Sequence, residues 1–241
     1  MKRLSIFFFP VLCGSLLMTG CEEDAGGDQN QNQSNVSVVA KADQSPQTEA
    51  VATRSTNATA TGTVVTDAKI SLNEFELEML NLSVSLDVLS ELEIELKQPR
   101  IITLVADGEA KSEIIAEGKL ENGVYSEAEF SYYKNLTVEA SDEMYGKSIL
   151  VKGTWNGAPF VCWTDEENEV EIDFEDEGIT VEGSQEINVI FHVNRLVSEI
   201  DFSLAVDGNA DGVIEIGPEG VDGNTALYTT IKAGLRGMAQ L

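Results

Sequence analysis

Histidine is nearly missing from this chain: His192 is the only one in 241 residues. Cysteine is scarce too, limited to Cys13, Cys21 and Cys162. These two shortages remove most ready-made reaction chemistry. A Ser-His-Asp or Cys-His site would have to be built on His192, and no serine stands in a nucleophile-elbow sequence. One histidine and one cysteine in the folded part do not make a zinc site of the usual ligands. The glycines sit in turn sequences, not in a phosphate-cradling or dinucleotide motif. Positive charge is short as well, with 15 Lys and Arg against 42 Asp and Glu and a formal charge of −27. Such a surface repels phosphate backbones, which excludes nucleic acid as a partner, and it attracts divalent cations and basic partners. Solubility or a salty habitat explains the same charge without a specific acidic function.

The apolar run Leu4–Met18 follows Lys2 and Arg3. At about fifteen residues it has the length of a signal-peptide core, short of the roughly twenty that span a bilayer. Pro10 and Gly14 weaken it further as a permanent helix. It closes on Leu17-Met18-Thr19-Gly20-Cys21. This resembles the lipobox of bacterial lipoproteins, in which small residues precede a cysteine that becomes the lipidated N-terminus. Met18 stands where Leu is usual, with Leu17 one place early. Cys13 matches less well, because Pro10 falls where its Leu should be. The expectation is a leader over residues 1–20 and a lipid on Cys21; the alternative is an ordinary secretory signal that happens to end near this cysteine. Each buried methylene of an acyl chain adds about 0.8 kcal/mol, so several chains hold a protein at a membrane essentially permanently. Glu22 follows the cysteine where an Asp would resemble a signal for inner-membrane retention. This points to the cell envelope, at the outer membrane.

Residues 21–61 are rich in Gln, Asn, Ser, Thr, Ala and Asp and hold no aromatic residue. Such a segment buries too little apolar surface to offset the entropy of ordering, so a disordered tether is expected there. From Gly62 the pattern changes to period two, the mark of half-buried strands. It runs through Phe75, Leu77 and Met79 and switches face at Leu80, Leu82, Val84, Leu86 and Val88. It returns at Leu92, Ile94 and Leu96, at Val170, Ile172 and Phe174, and at Ile187, Val189, Phe191 and Val193. Turn dipeptides fall between the runs at Asp107-Gly108, Asn122-Gly123, Asn156-Gly157 and Glu182-Gly183, with Asn156-Gly157 the best hairpin signal. A mainly β chain is expected, an antiparallel β-sandwich over 62–193. Phe160-Val161-Cys162-Trp163 reads as a buried strand, with Cys162 acting as a small hydrophobe. With Cys13 and Cys21 outside the folded part, Cys162 has no disulfide partner.

Residues 194–241 read as a C-terminal segment. Leu196, Ile200 and Leu204 fit a short helix, and Leu227, Ile231, Leu235 and Met238 a second one, with Asn224 placed to cap it. Between them lies Asp207-Gly208-Asn209-Ala210-Asp211-Gly212-Val213-Ile214-Glu215, the first nine positions of an EF-hand calcium loop. Asp207, Asn209 and Asp211 stand at ligand positions one, three and five, and Gly212 at six permits the sharp turn. Val213 offers a carbonyl at seven and Glu215 a carboxylate at nine. Calcium is a hard ion that takes six to eight oxygens, which is why the spacing calls for these side chains. Position twelve, normally a bidentate Glu, is Pro218. Glu219 and Asp222 are the substitutes within reach. The competing expectation is a run of Asx and Gly turns holding no metal.

The order of a lipobox, a low-complexity segment, Lys152-Gly153-Thr154-Trp155-Asn156-Gly157-Ala158-Pro159-Phe160, Phe191-His192-Val193-Asn194 and the Asp207–Ile216 loop resembles a group of uncharacterised bacterial lipoproteins with a domain of unknown function. The resemblance covers residues 62–241 and implies a transthyretin-like or Ig-like sandwich, with no catalytic residues. A non-enzymatic binding or structural module is therefore expected: membrane-anchored, calcium-stabilised and open to a protein or glycan ligand. Two other readings use specific residues. Exposure of Trp155 or Trp163 would favour a surface adhesin or carbohydrate-binding accessory, and two converging acids in a cleft would favour a carboxylate-dependent hydrolase.

Overall fold

The structure, a computed structural model, describes residues 32–44, 62–79, 92–93, 99–174 and 178–240. Along the chain, β1 (Gln33–Asp43), β2 (Thr63–Met79), β3 (Leu92–Glu93), β4 (Arg100–Ala106) and β5 (Glu109–Ala110) come first. They are followed by β6 (Ser112–Glu121), β7 (Gly123–Tyr132), β8 (Ile149–Trp155), β9 (Ala158–Thr164) and β10 (Glu169–Asp173). Then come β11 (Ile179–Val181), β12 (Gln185–His192), α1 (Val193–Ser198), β13 (Ile214–Ile216), α2 (Thr225–Gly234) and β14 (Ala239–Gln240). The chain is mainly β, as its alternating pattern requires. Among the described residues no helix is long and apolar enough to cross a membrane.

Two sheets share one apolar core. The smaller runs β14-β12-β1-β6 and the larger β10-β7-β2-β8-β9-β13. Long β2 organises the larger sheet: Ile70 is paired to both β4 and β8, and Leu72 to both β4 and β7. Strands β8 and β7 therefore follow one another along one edge of β2, while β4 lies on the other. Irregular register at Leu72–Phe75 marks the change of partner, as a bulge does. Phe130 of the larger sheet meets Phe191 of the smaller with ring centroids 5.7 Å apart, joining the two layers. The Asn156-Gly157 hairpin forms as expected. Both residues have positive φ, 49° and 84°, as a two-residue turn matched to the strand twist demands.

The tether boundary needs correction. Residues 33–43 are β1, an interior strand of the smaller sheet, parallel to β12 and antiparallel to β6. Val36, Val38 and Ala40 are buried on one face. Averaging composition over 21–61 hides this short alternation, and what stabilises it lies far along the chain, in two strands that satisfy its backbone on both sides. The strand belongs to the compact unit Asn32–Leu241. Residues 21–31 and 45–61, the leader 1–20 with Cys13, the Leu80–Val88 alternation, Ile94 and Leu96 lie outside the described residues.

The C-terminal segment is not an appendage. β13 lies parallel to β9, and β14 pairs with β12, so both sheets end on it. With β1–β12, that makes two parallel pairings among the described residues, the others there being antiparallel. Helix α1 is shorter than its apolar spacing predicts. Asp201 accepts from Ser203 N at 3.1 Å and draws the chain into a separate 3-10 turn, leaving Leu204 67% exposed. The second stripe holds, with Leu227, Ile231, Leu235 and Met238 all buried.

Candidate functional site

The acidic loop is carried by β13. Ile214 and Ile216 point into the core, so Glu215 between them faces outward. Upstream, the side chains wind the backbone into successive Asx turns. Asp207 accepts from Asp211 N at 3.2 Å and from Gly212 N at 2.8 Å. Asn209 accepts from Asp211 N at 2.9 Å, and Asp211 accepts from Val213 N at the same distance. Ala210 and Gly212 adopt positive φ to complete the winding. The Asn209 amide lies between two carboxylates, donating to Asp211 at 3.2 Å and to Glu215 at 3.3 Å.

A second turn, 218–223, is fastened across this loop by Asp222, whose carboxylate accepts from Asn209 N at 3.2 Å and from Glu215 N at 2.9 Å. The approach is close: a side-chain carbon on Gly208 would stand 2.6 Å from the Asp222 carbonyl oxygen. Asn224 sits behind it, 3% exposed. It does not cap α2 with its side chain, as the sequence suggests. Its amide donates to Val206 O and Glu215 O, both at 2.8 Å, and its oxygen accepts from Val206 N at 3.0 Å. One residue thus ties the loop's entry to its exit. Two part-buried carbonyls and an N–H are satisfied there, more backbone groups than a helix cap serves.

Of the sequence-predicted ligands, Asp207, Asn209, Asp211 and Glu215 are drawn together with Asp222. Glu219 is not part of that set: its charge is felt at Lys134, whose ammonium is held above its usual value chiefly by Asp165. Val213 enters through its N–H. Burial, followed by the charges of Asp222, Asp211 and Asp207, raises the Glu215 carboxyl above its ordinary range. The carboxylates repel one another, the Asn209 amide nitrogen lies between two of them, and several of their oxygens already accept from backbone N–H groups. Among the described residues, no three His, Cys, Asp or Glu side chains converge into a ready-made metal site.

The remaining chemistry-bearing residues are engaged elsewhere. Cys162 is 2% exposed on β9, and burial pushes its thiol well above the usual range. His192 Nδ1 lies 3.0 Å from Asp43, joining the last residue of β12 to the last of β1. Trp155 is half-buried and stacks on Phe202 at 5.9 Å. Trp163, also half-buried, packs against Gly217, with Lys147 Nζ 5.9 Å from its ring centroid.

A second charged feature escapes sequence reading. Glu76, Glu129 and Glu171 stand side by side across β2, β7 and β10, and Glu78, Glu127 and Asp173 form the next row. A hydrogen bond with Glu169, then burial and the neighbouring carboxylates, push Glu129 up to about 7. Strand alternation places these residues outward, but only the register makes them neighbours. Comparison with family models, with curated proteins and with solved structures found no match for this chain.

Proposed function

We propose that this chain is a lipid-anchored protein of the bacterial cell envelope, at the outer membrane, that displays a non-enzymatic β domain as a binding or structural module. Calcium at Asp207, Asn209, Asp211, Glu215 and Asp222 would staple the C-terminal segment to the sheets. The Leu17–Cys21 lipobox supports the anchor, and the resemblance to bacterial lipoproteins supports the place. The engaged states of Cys162 and His192 support a non-enzymatic role. The observation that carries the calcium reading is Asp222: it comes from a separate turn, yet grips both the start and the end of the loop, adding an acid that this chain lacks at Pro218, where the motif has Glu. Bound calcium would supply charge neutralisation, and the chain's own residues supply the fixed backbone. Calorimetry with calcium, at constant ionic strength, is expected to show binding and a raised melting temperature that chelation reverses. No heat and an unchanged melting temperature would end the calcium reading. Replacing Cys21→Ser is expected to release the protein from membranes in soluble form.

A further inference from the structure

We infer that the open edge of β12 at Glu186–Asn188 is a docking slot for an extended, basic segment of another protein, which adds to the smaller sheet as a strand in line with β14. The slot depends on neither the lipid anchor nor calcium. His192 N donates to Met238 O at 2.7 Å, and Ile190 stands opposite Gln240. Successive residues of a strand turn their backbone groups to opposite sides, so the even-numbered positions of β12 face the β14 edge and the odd ones face β1. Pairing with β14 stops at Ile190. Among the described residues, no strand takes the N–H and C=O groups that Glu186 and Asn188 aim at that edge. A shallow groove of about 370 Å³ runs there instead, with Gln185–Asn188 on one bank and Ile179 and Thr180 of β11 on the other. Gln185 Nε2 donates to Thr180 O at 3.2 Å, linking the two banks. Asn188 lines the groove and has a buried side-chain oxygen that accepts no hydrogen bond, a cost that a donor entering the groove relieves.

Exposed strand edges are ordinarily blunted by charge, proline or short length. Strand β10 is charged at Glu169, Glu171 and Asp173, β6 at Glu117 and Lys119, and β13 has three residues. Strand β12 holds neither proline nor lysine, and Ile187-Asn188-Val189 is uncharged. Its edge is therefore the least guarded of the four.

Geometry and charge specify the occupant. A strand antiparallel to β12 sets the residues opposite Glu186 and Asn188 on the outer face and the one between them inward, beside Ile187. Glu186 is exposed even while paired with Lys41 at 2.9 Å. Strand β11 follows β10 along the same edge of β7, so Glu171 and Asp173 lie further along that bank. In a chain of charge −27, basic side chains outward and an apolar one inward complement this setting. A second copy of the chain, equally acidic, is opposed by the same field.

The test titrates a fluorescein-labelled octapeptide of alternating lysine and valine into the full-length protein at about 0.15 M salt, where long-range attraction is screened. Saturable binding is expected, with the lysine backbone N–H groups turned to β12. Methylating the lysine backbone nitrogens should weaken binding about tenfold or more, the scale of losing two hydrogen bonds, and methylating the valine nitrogens far less. On the unaltered protein, added peptide should slow hydrogen exchange at the Glu186 and Asn188 amides. The Ile187 and Val189 amides, which face β1, should not change. Asn188→Pro removes the edge-facing N–H and should weaken binding to the same degree. If that variant does not fold, the exchange result decides alone. No binding, equal binding by the lysine-methylated peptide, or slowed exchange only along the carboxylate rows of β7 and β10 overturns the inference. So does slowing at Glu186 and Asn188 that rises with protein concentration alone, which assigns the edge to a second copy.

Discussion

At the scale of single residues, the loop's integrity depends on Asn224 more than on any acid. It bonds two carbonyls and one N–H while 3% exposed, so truncation leaves three part-buried backbone groups without this partner. Asn224→Ala is expected to cost about 3 kcal/mol in denaturant unfolding. Asn224→Asp should be no better, because it turns a carboxylate toward the carbonyls of Val206 and Glu215. A measured loss under about 1 kcal/mol for both would show that the tie is dispensable. The acids Asp207 and Asp211 and the amide Asn209 are legible in the sequence because their spacing is local. Asp222 and Asn224 stand further along, and their roles exist only once the 218–223 turn crosses the loop. A helix-cap pattern at Asn224 is real as a pattern; a pair of carbonyls, Val206 and Glu215, competes for the same amide and wins.

Among the elements, β1 has the greatest consequence. Val36, Val38 and Val39 bury their side chains, at roughly 1.5–3 kcal/mol each. Their sum is comparable with the whole net stability of a domain, about 5–15 kcal/mol. A chain beginning at Gly62 is therefore expected to lack a cooperative melting transition in calorimetry, and one beginning at Asn32 to retain it. The acidic rows across β2, β7 and β10 act in the opposite sense. Glu129 titrates near 7 in the folded protein, above its ordinary 4.5, so the folded state holds a proton that the unfolded chain has released. The stability this group contributes is present below about 4.5 and is lost as pH rises through about 7. The melting temperature should fall between pH 5 and pH 8, and Glu129→Gln should flatten that slope. At pH 8 the substitution is expected to stabilise by about 0.5 kcal/mol, the scale of a like-charge pair on adjacent strands. An unchanged slope would show that the row does not share its charge. Outward-facing acids are readable from alternation, but their alignment follows from register, which bulges and partner choice determine.

For the whole molecule, the charge of −27 makes self-repulsion a general property of the fold. Sodium chloride raised from about 0.01 M to 0.15 M shortens the screening length from about 30 Å to 8 Å and is expected to raise the melting temperature. A flat response would mean that ion pairs such as Lys69 and Lys152 on Glu143 already balance the field locally. Calcium at fixed ionic strength separates loop binding from this screening. Composition and period-two alternation determined by themselves that the chain is acidic and mainly β, where its best hairpin turns, and that a calcium-type spacing lies near its end. These are local properties, carried by neighbours in the chain. Tertiary structure alone decided that a polar-flanked strand far from its partners completes the smaller sheet, that the C-terminal segment closes both sheets, and that Asp222 and Asn224 bind the loop together. Each depends on backbone groups and apolar faces brought together across long chain separations. The same placement makes residues 33–43 a sheet strand, because a strand's stability comes from the partners on its two sides and not from its own composition.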